Sequence, residues 1–111
     1  MSYALTAASD DLFRSLADPT RRAIFERLAT GGEQTVRALT DFAGVSQPAV
    51  SKHLAQLKSA GLVRDRRAGR ETHYTAEPMA LRPLIDWTGR MGAFWEGRFD
   101  ALENLLDRMD Q

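Results

Sequence analysis

The chain has no cysteine in its 111 residues, so disulfides, thiolate metal centres and cysteine nucleophiles are all excluded. Histidine is nearly as scarce, with only His53 and His73. There is no phosphate-cradling glycine loop, no nucleophile with a base beside it and no convergent carboxylate pair, and these gaps argue against an enzyme. No stretch approaches the roughly 20 apolar residues that span a bilayer, and "MSYALTAASDD" lacks a basic region ahead of an apolar run. The expectation is a chain that is not exported and has no membrane partner, and the missing cysteine fits a reducing cytoplasm. The formal net charge is zero, which taken alone argues against a polyanionic partner.

The distribution of charge says otherwise. Residues 46–76 hold Lys52, Lys58, Arg64, Arg66, Arg67 and Arg70 against only Asp65 and Glu71, whereas residues 77–111 are net acidic. The neutral total conceals a basic middle. With 43% hydrophobic and 27% charged residues, the composition is that of an ordinary globular domain rich in helix formers. Residues 1–111 are read as a single domain, long enough for one core but marginal as a monomer. A second copy of the chain would help to bury its surface.

Ser9 precedes "DDLFRSLA", a short helix with Leu12, Phe13 and Leu16 at one-face spacing. Asp18 and Pro19 then begin "DPTRRAIFERLATGG", with Asp18 as N-cap and Gly31 and Gly32 as its stop. Thr35 can cap a third helix, "VRALTDFA", and Gly44 supplies a tight turn. Ser46 caps a fourth helix in which Pro48 lies within the first turn, and Val50, Leu54 and Leu57 make a stripe about one residue wide. "LVRDRR" and "ETHYT" read as two strands around Ala68 and Gly69, with Val63 opposite Tyr74 on one face and Arg64 and Arg66 on the other. From Pro78 onward Leu84, Trp87, Met91, Phe94, Trp95, Phe99, Leu102, Leu105 and Leu106 recur at three- and four-residue steps, with Gly89 and Gly92 marking a possible break or close contact. Leu12, Ile24, Leu28, Leu39, Val50, Leu54 and Leu57 are core by periodicity.

A short helix, a glycine turn and a second helix with a narrow buried stripe form a helix-turn-helix, at about residues 35–60. The polar front of the second helix is then explained. Gln47, Ser51 and Lys52 share an exposed arc suited to base edges and phosphates, beside Thr35, Ser46 and Pro48 at the helix starts, with His53 on its margin. The hairpin that follows, at about 62–76, carries Arg64, Arg66, Arg67 and Arg70 and has the chemistry of a wing laid on a phosphate backbone or in the minor groove. This order predicts a mainly α fold with a two-stranded antiparallel β wing, a winged helix-turn-helix.

The runs "LADPTRRAIFERLA" and "GVSQPAVSKHLAQLKSAGLVRDRRAGRETHY", followed by a tryptophan-containing helix, resemble the ArsR/SmtB family of bacterial winged-helix repressors. The resemblance covers nearly the whole chain. It implies a homodimer built from the first and last helices, at about 9–17 and 79–108, that binds a double-stranded operator with two recognition helices in successive major grooves. Such a protein would be cytoplasmic, held at the nucleoid through its DNA. Metal-sensing members carry cysteines in the helix before the recognition helix, or His and acidic residues on the C-terminal helix. Here that first helix reads "TVRALTDFAG" and the last has no His, so neither metal nor cofactor is expected.

Simpler readings stand beside these. The arginines could blunt a solvated strand edge, His53 could pack against a backbone carbonyl, and Arg21 and Arg22 could reach phosphates or pair with surface acids. The aromatic stripe of Trp87, Phe94, Trp95 and Phe99, with Leu12, Phe13, Leu84, Met91, Leu102 and Leu105, is assigned to a dimer seam, though an effector pocket within that seam stays open. A winged helix that only docks proteins is the rival to DNA binding. The basic 46–76 segment argues against it.

Overall fold

The computed structural model describes residues 7–110. Helices α1 (Ala7–Ala17) and α2 (Pro19–Gly31) lead to a two-residue strand β1 (Gln34–Thr35) and helices α3 (Val36–Ala43) and α4 (Gln47–Ser59). The hairpin β2 (Val63–Ala68) and β3 (Glu71–Ala76) follows, then a 3₁₀ turn (Pro78–Leu81) and the 28-residue α5 (Arg82–Met109). The sheet has the order β1-β3-β2 with both pairings antiparallel, so the hairpin gains a third, short strand that the sequence pattern does not show. Two residues carry no readable alternation, which is why β1 is invisible before folding.

Local chemistry sets the boundaries. The Asp18 carboxylate accepts from the Arg21 backbone N–H at 2.9 Å, and Pro19 follows in the first turn of α2. Thr35 and Ser46 cap α3 and α4 in the same way, accepting from Ala38 and Ala49 at 3.1 and 3.3 Å. Each cap satisfies a donor that the first turn leaves without a helical partner. Gly44, at φ 69°, closes α3 in the left-handed region and turns the chain into α4. Helix α1 is already formed at Ala7, three residues ahead of Asp10 where its pattern begins, so Ser9 lies inside it, buried.

The core is a single cluster: Leu12, Ile24, Phe25, Leu28, Leu39, Val50, Leu54, Leu57, Leu62 and Val63. It draws residues from α1 to α4 and from the hairpin's base. Leu12 therefore belongs to the core and not to an outer seam, because α1 turns this side chain inward and leaves it 5% exposed. Arg21 and Arg22 donate from Nη1 to the carbonyls of Ser15 and Leu16, at 3.3 and 2.8 Å. There they meet the negative end of the α1 dipole, and neither forms an ion pair with an acid among the described residues.

Helix α5 leaves this body. Phe13 of α1 meets Trp87 edge to face, with ring centroids 5.5 Å apart, and Leu84 packs against the core. Beyond Trp87 the stripe continues with nothing beneath it among the described residues: Met91, Phe94, Trp95, Phe99, Leu102, Leu105 and Leu106 are all exposed. At 100° per residue these side chains and Leu84 fall within an arc of roughly 140°, a width suited to a buried face. The helix is continuous through Gly89 and Gly92, and a Cβ at either would meet nothing within 4 Å. Of the two readings of these glycines, neither the break nor a close helix contact occurs among the described residues.

Candidate nucleic-acid interface

Helix α4 is held by one side. Val50, Leu54 and Leu57 are fully buried, while Gln47, Pro48, Ser51 and Lys52 are exposed. The start of α3 and the tip of the hairpin come up beside that exposed end. Thr35, Arg37, Gln47, Arg70 and Thr72 line one cleft of about 340 Å³, so α3, α4 and the hairpin tip share a surface. Arg37 was not singled out in the sequence because it sits outside the basic 46–76 segment. Its place one turn into the capped α3 was the available signal.

His53 does not join this arc. Its position on α4 is turned roughly 160° from Ser51 at 100° per residue, its Nδ1 is shielded without a hydrogen-bond partner, and its charge acts on Asp18 at the start of α2. The Asp18 carboxyl is held below its ordinary value first by the Arg21 backbone N–H, with His53 and Arg21 adding to this against the opposing effect of desolvation. The imidazole thus faces the body of the protein. Its predicted contact with DNA has no geometric basis.

The hairpin separates its arginines by face. Its register sets Val63 opposite Ala76, Asp65 opposite Tyr74 and Arg67 opposite Thr72, so Tyr74 shares a face with Val63 but pairs with Asp65, two residues from the expected partner. Burial pushes the Tyr74 hydroxyl up, and Asp65 adds to that shift. Arg64 and Arg66 occupy the outer face, as alternation requires, and both are engaged there. Arg64 Nε lies 2.9 Å from a Glu77 carboxylate oxygen. Arg66 grips Glu33 with Nε at 3.0 Å and Nη2 at 2.6 Å, while Thr75 Oγ1 donates to the same carboxylate at 3.3 Å.

Bidentate pairing of this kind fixes geometry as well as charge. The Arg66 hydrogen bond holds the Glu33 carboxyl below its ordinary value, with the Arg66 charge, Thr75 and His73 adding to it, and Glu33 in turn raises Arg66. Glu33 precedes β1, so the pair ties the loop after α2 to the middle of the hairpin. Lys58 is likewise occupied, 3.0 Å from Asp65. Of the six cations in the basic segment, only Lys52, Arg67 and Arg70 show no ion pair among the described residues. Arg70 follows Gly69, whose φ of 64° in a two-residue loop matches a type II′ turn and sets Arg70 at the tip.

A testable consequence follows for Glu33. A carboxyl whose pKa is lower in the folded chain contributes stability above its unfolded value and loses it as pH falls through the folded one. Glu33→Gln is therefore expected to lower the melting temperature slightly at pH 7 and by less at pH 3, where the carboxyl is being protonated in the folded chain as well. Thermal unfolding at both pH values checks this, and an equal loss at the two would remove the electrostatic account of the clamp.

A capped helix pair crossing at a glycine turn, followed by a hairpin whose tip reaches back to the second helix, defines a winged helix-turn-helix. The comparisons with known proteins narrow this class. A helix-turn-helix domain model matches residues 16–66. The chain is 43% identical over 98 residues to the HTH-type transcriptional regulator Rv2034 of Mycobacterium tuberculosis, covering 88% of each protein. It is 33% identical over 78 residues to the transcriptional repressor SdpR of Bacillus subtilis, covering 70% of this chain and 86% of that one. Among solved structures, the ArsR family transcriptional regulator RHA00566 superposes with a TM-score of 0.74 at 29% identity, covering 84% of this chain and 95% of the other.

The chain belongs to the ArsR family of transcriptional regulators, and its biochemical role is that of a DNA-binding regulator rather than an enzyme. Among the described residues, no helix is long and apolar enough to cross a membrane and no group of three or more His, Asp or Glu is placed to hold a metal ion.

Proposed function

We propose that the chain is a homodimeric repressor that binds a palindromic operator, with the front of α4 in the major groove and the hairpin tip on the adjoining backbone. The observation that carries this reading is the separation of α4 into two sides. Val50, Leu54 and Leu57 anchor one, while Gln47, Ser51 and Lys52 project from the other, flanked by Arg37 and Arg70. Gln47 and Ser51 have the donors and acceptors to read base edges; Lys52, Arg37, Arg67 and Arg70 supply phosphate contacts. Thr35, Ser46 and Pro48 set the starts of the two helices. Arg64 and Arg66 brace the wing from its outer face and are assigned no DNA contact.

The dimer rests on the distal stripe of α5, which is apolar, regular and uncovered. Two copies would place their α4 helices on half-sites about one turn, roughly 34 Å, apart. With about six to ten phosphate contacts, affinity should fall roughly 10³ to 10⁵-fold between 50 and 200 mM salt.

The test is a gel-shift titration with the DNA upstream of the chain's own gene, repeated for single variants. Gln47→Ala and Ser51→Ala should relax sequence preference by about 1 to 3 kcal/mol per lost base contact. Arg70→Ala should weaken all sequences alike and reduce the salt slope by about one, whereas Arg66→Ala should leave the slope unchanged. Identical losses for Gln47→Ala and Arg70→Ala on matched and unmatched DNA would refute base reading by α4.

A further inference from the structure

His73 is one of only two histidines in the chain, and it belongs to neither the core nor the reading surface. It sits in the middle of β3, opposite Arg66 of β2 on one side and Thr35 of β1 on the other, with its side chain 21% exposed. A carboxylate stands at each ring nitrogen. Nδ1 lies 3.5 Å from Glu33 Oε1, and Nε2 lies 3.7 Å from Glu71 Oε2. A neutral imidazole has one N–H and can donate to only one of them, whereas the imidazolium has two and answers both. The arrangement is complete only when the ring carries its second proton.

The surrounding charges leave one acid unanswered. Arg66 and Glu33 cancel through their bidentate pair, Arg64 is taken by Glu77, and Arg27 of α2 is turned to the Phe42 ring, 5.0 Å from its centroid. Glu71 remains. It meets no Lys or Arg within ion-pair distance among the described residues, and its side chain is 57% exposed. It also lines the cleft shared by Arg37 of α3, Gln47 of α4 and Arg70 at the hairpin tip. A carboxylate there repels the phosphates that its neighbours would attract.

We propose that His73 is a positioning residue of the wing that works by taking up a proton as DNA binds. Protonated, it draws the Glu71 carboxylate back toward the sheet and cancels its charge, so that Arg37 and Arg70 meet the phosphates unopposed. Neutral, it leaves an acid in their path. The phosphates themselves favour the charged ring, because their negative potential reaches about 8 Å at physiological salt. A group that holds its proton more tightly in the complex makes affinity rise as pH falls, by at most about tenfold per pH unit for each proton taken up. Histidine is the side chain whose charge changes between about pH 5 and 8, so the effect is read in that range. This inference deepens the DNA-binding reading above and rests on it.

The test is a titration of the full chain onto an operator duplex, enriched by the chain itself from a random pool, at pH 8 and pH 6 and constant ionic strength. The parent should bind about tenfold more tightly at pH 6, within the usual range of coupling between sites. Calorimetry at pH 7 in buffers of different ionisation enthalpy should count an uptake of roughly half a proton to one proton per bound dimer. His73→Gln should match the parent at pH 8 and lose the gain at pH 6, whereas a role in holding the sheet alone would weaken both equally. Glu71→Gln, at an exposed position that leaves the core untouched, should tighten binding about tenfold at pH 8 and change little at pH 6. That variant keeps the proposal open to refutation even if His73→Gln fails to fold. Affinity that does not change between the two pH values, a gain that survives in His73→Gln, or an equal effect of Glu71→Gln at both overturns the role of His73 and leaves the reading of α4 standing. A chain that binds no duplex at either pH overturns that reading and the proposal together.

Discussion

Phe99→Glu combined with Leu102→Glu is expected to leave a folded monomer that binds the operator about 10² to 10⁴-fold more weakly than the parent chain. The two side chains are 57% and 51% exposed on the part of α5 that meets no other element among the described residues, so their loss removes little beyond the contact of the Phe99 ring with Trp95 along the same helix. In a dimer they would be covered. Burying a large apolar side chain in full contributes about 1.5 to 3 kcal/mol; the seven half-exposed residues from Met91 to Leu106, counted on two copies, supply roughly 10 to 20 kcal/mol, enough to offset the roughly 4 to 15 kcal/mol that association costs. Removing two and burying two carboxylates in their place reverses that balance.

The effect on DNA binding follows from linkage. In a dimer the second half-site is engaged at an effective concentration set by the seam, which raises avidity by about 10² to 10⁴ without any new contact. A monomer keeps Gln47, Ser51 and Lys52 but loses that gain. Sedimentation equilibrium and an operator titration on the same sample check both steps. A parent chain that sediments as a monomer, or a double variant that remains a dimer, would remove the seam from α5.

What was legible before folding was whatever depends on neighbours in the chain. Asp18, Thr35 and Ser46 cap their helices because a capping oxygen needs only the N–H groups two or three residues ahead. Val50, Leu54 and Leu57 were readable as an anchor because helical period alone places them on one side. The wing's facing was readable in the same manner, since alternation put Arg64 and Arg66 opposite Val63. The consequence of that facing was not readable. Glu33 reaches Arg66 across 33 positions, and no local pattern announces a carboxylate that arrives from the loop before β1.

The same limit governs His53, Leu12 and the register of the hairpin. His53 sits at the edge of a polar arc in projection, and only the packing of α4 beside the start of α2 decides that it turns inward toward Asp18. Leu12 and Phe13 are adjacent in the sequence, but the crossing of α1 over the core buries one and presents the other to Trp87. The pairing of Val63 with Ala76 is fixed by the two-residue loop at Gly69 and Arg70. A longer loop would have shifted it. A charge tally over residues 46–76 therefore points to the surface proposed to meet DNA while overcounting the cations free to use it.

Leu54→Ala is expected to be the most damaging single substitution, lowering stability by about 2 to 5 kcal/mol. Leu54 is fully buried in the middle of α4, within a core of ten buried hydrophobic side chains. A domain of this size has about 5 to 15 kcal/mol of stability in total, so the loss is a large share of it. The cavity opens directly beneath the residues proposed to meet DNA. Ser51 and Lys52 lie within one turn of position 54, and their aim depends on the seat of the helix. Operator affinity should therefore fall even at temperatures where the chain remains folded, and by more than for Leu105→Ala on the uncovered stretch of α5, which leaves α4 undisturbed. Urea unfolding at several protein concentrations measures the stability change free of any contribution from dimerisation. A loss below about 1 kcal/mol would mean that α4 can settle into the vacated space, and the rigid presentation of Gln47 and Ser51 would then have to come from the wing and α3 instead.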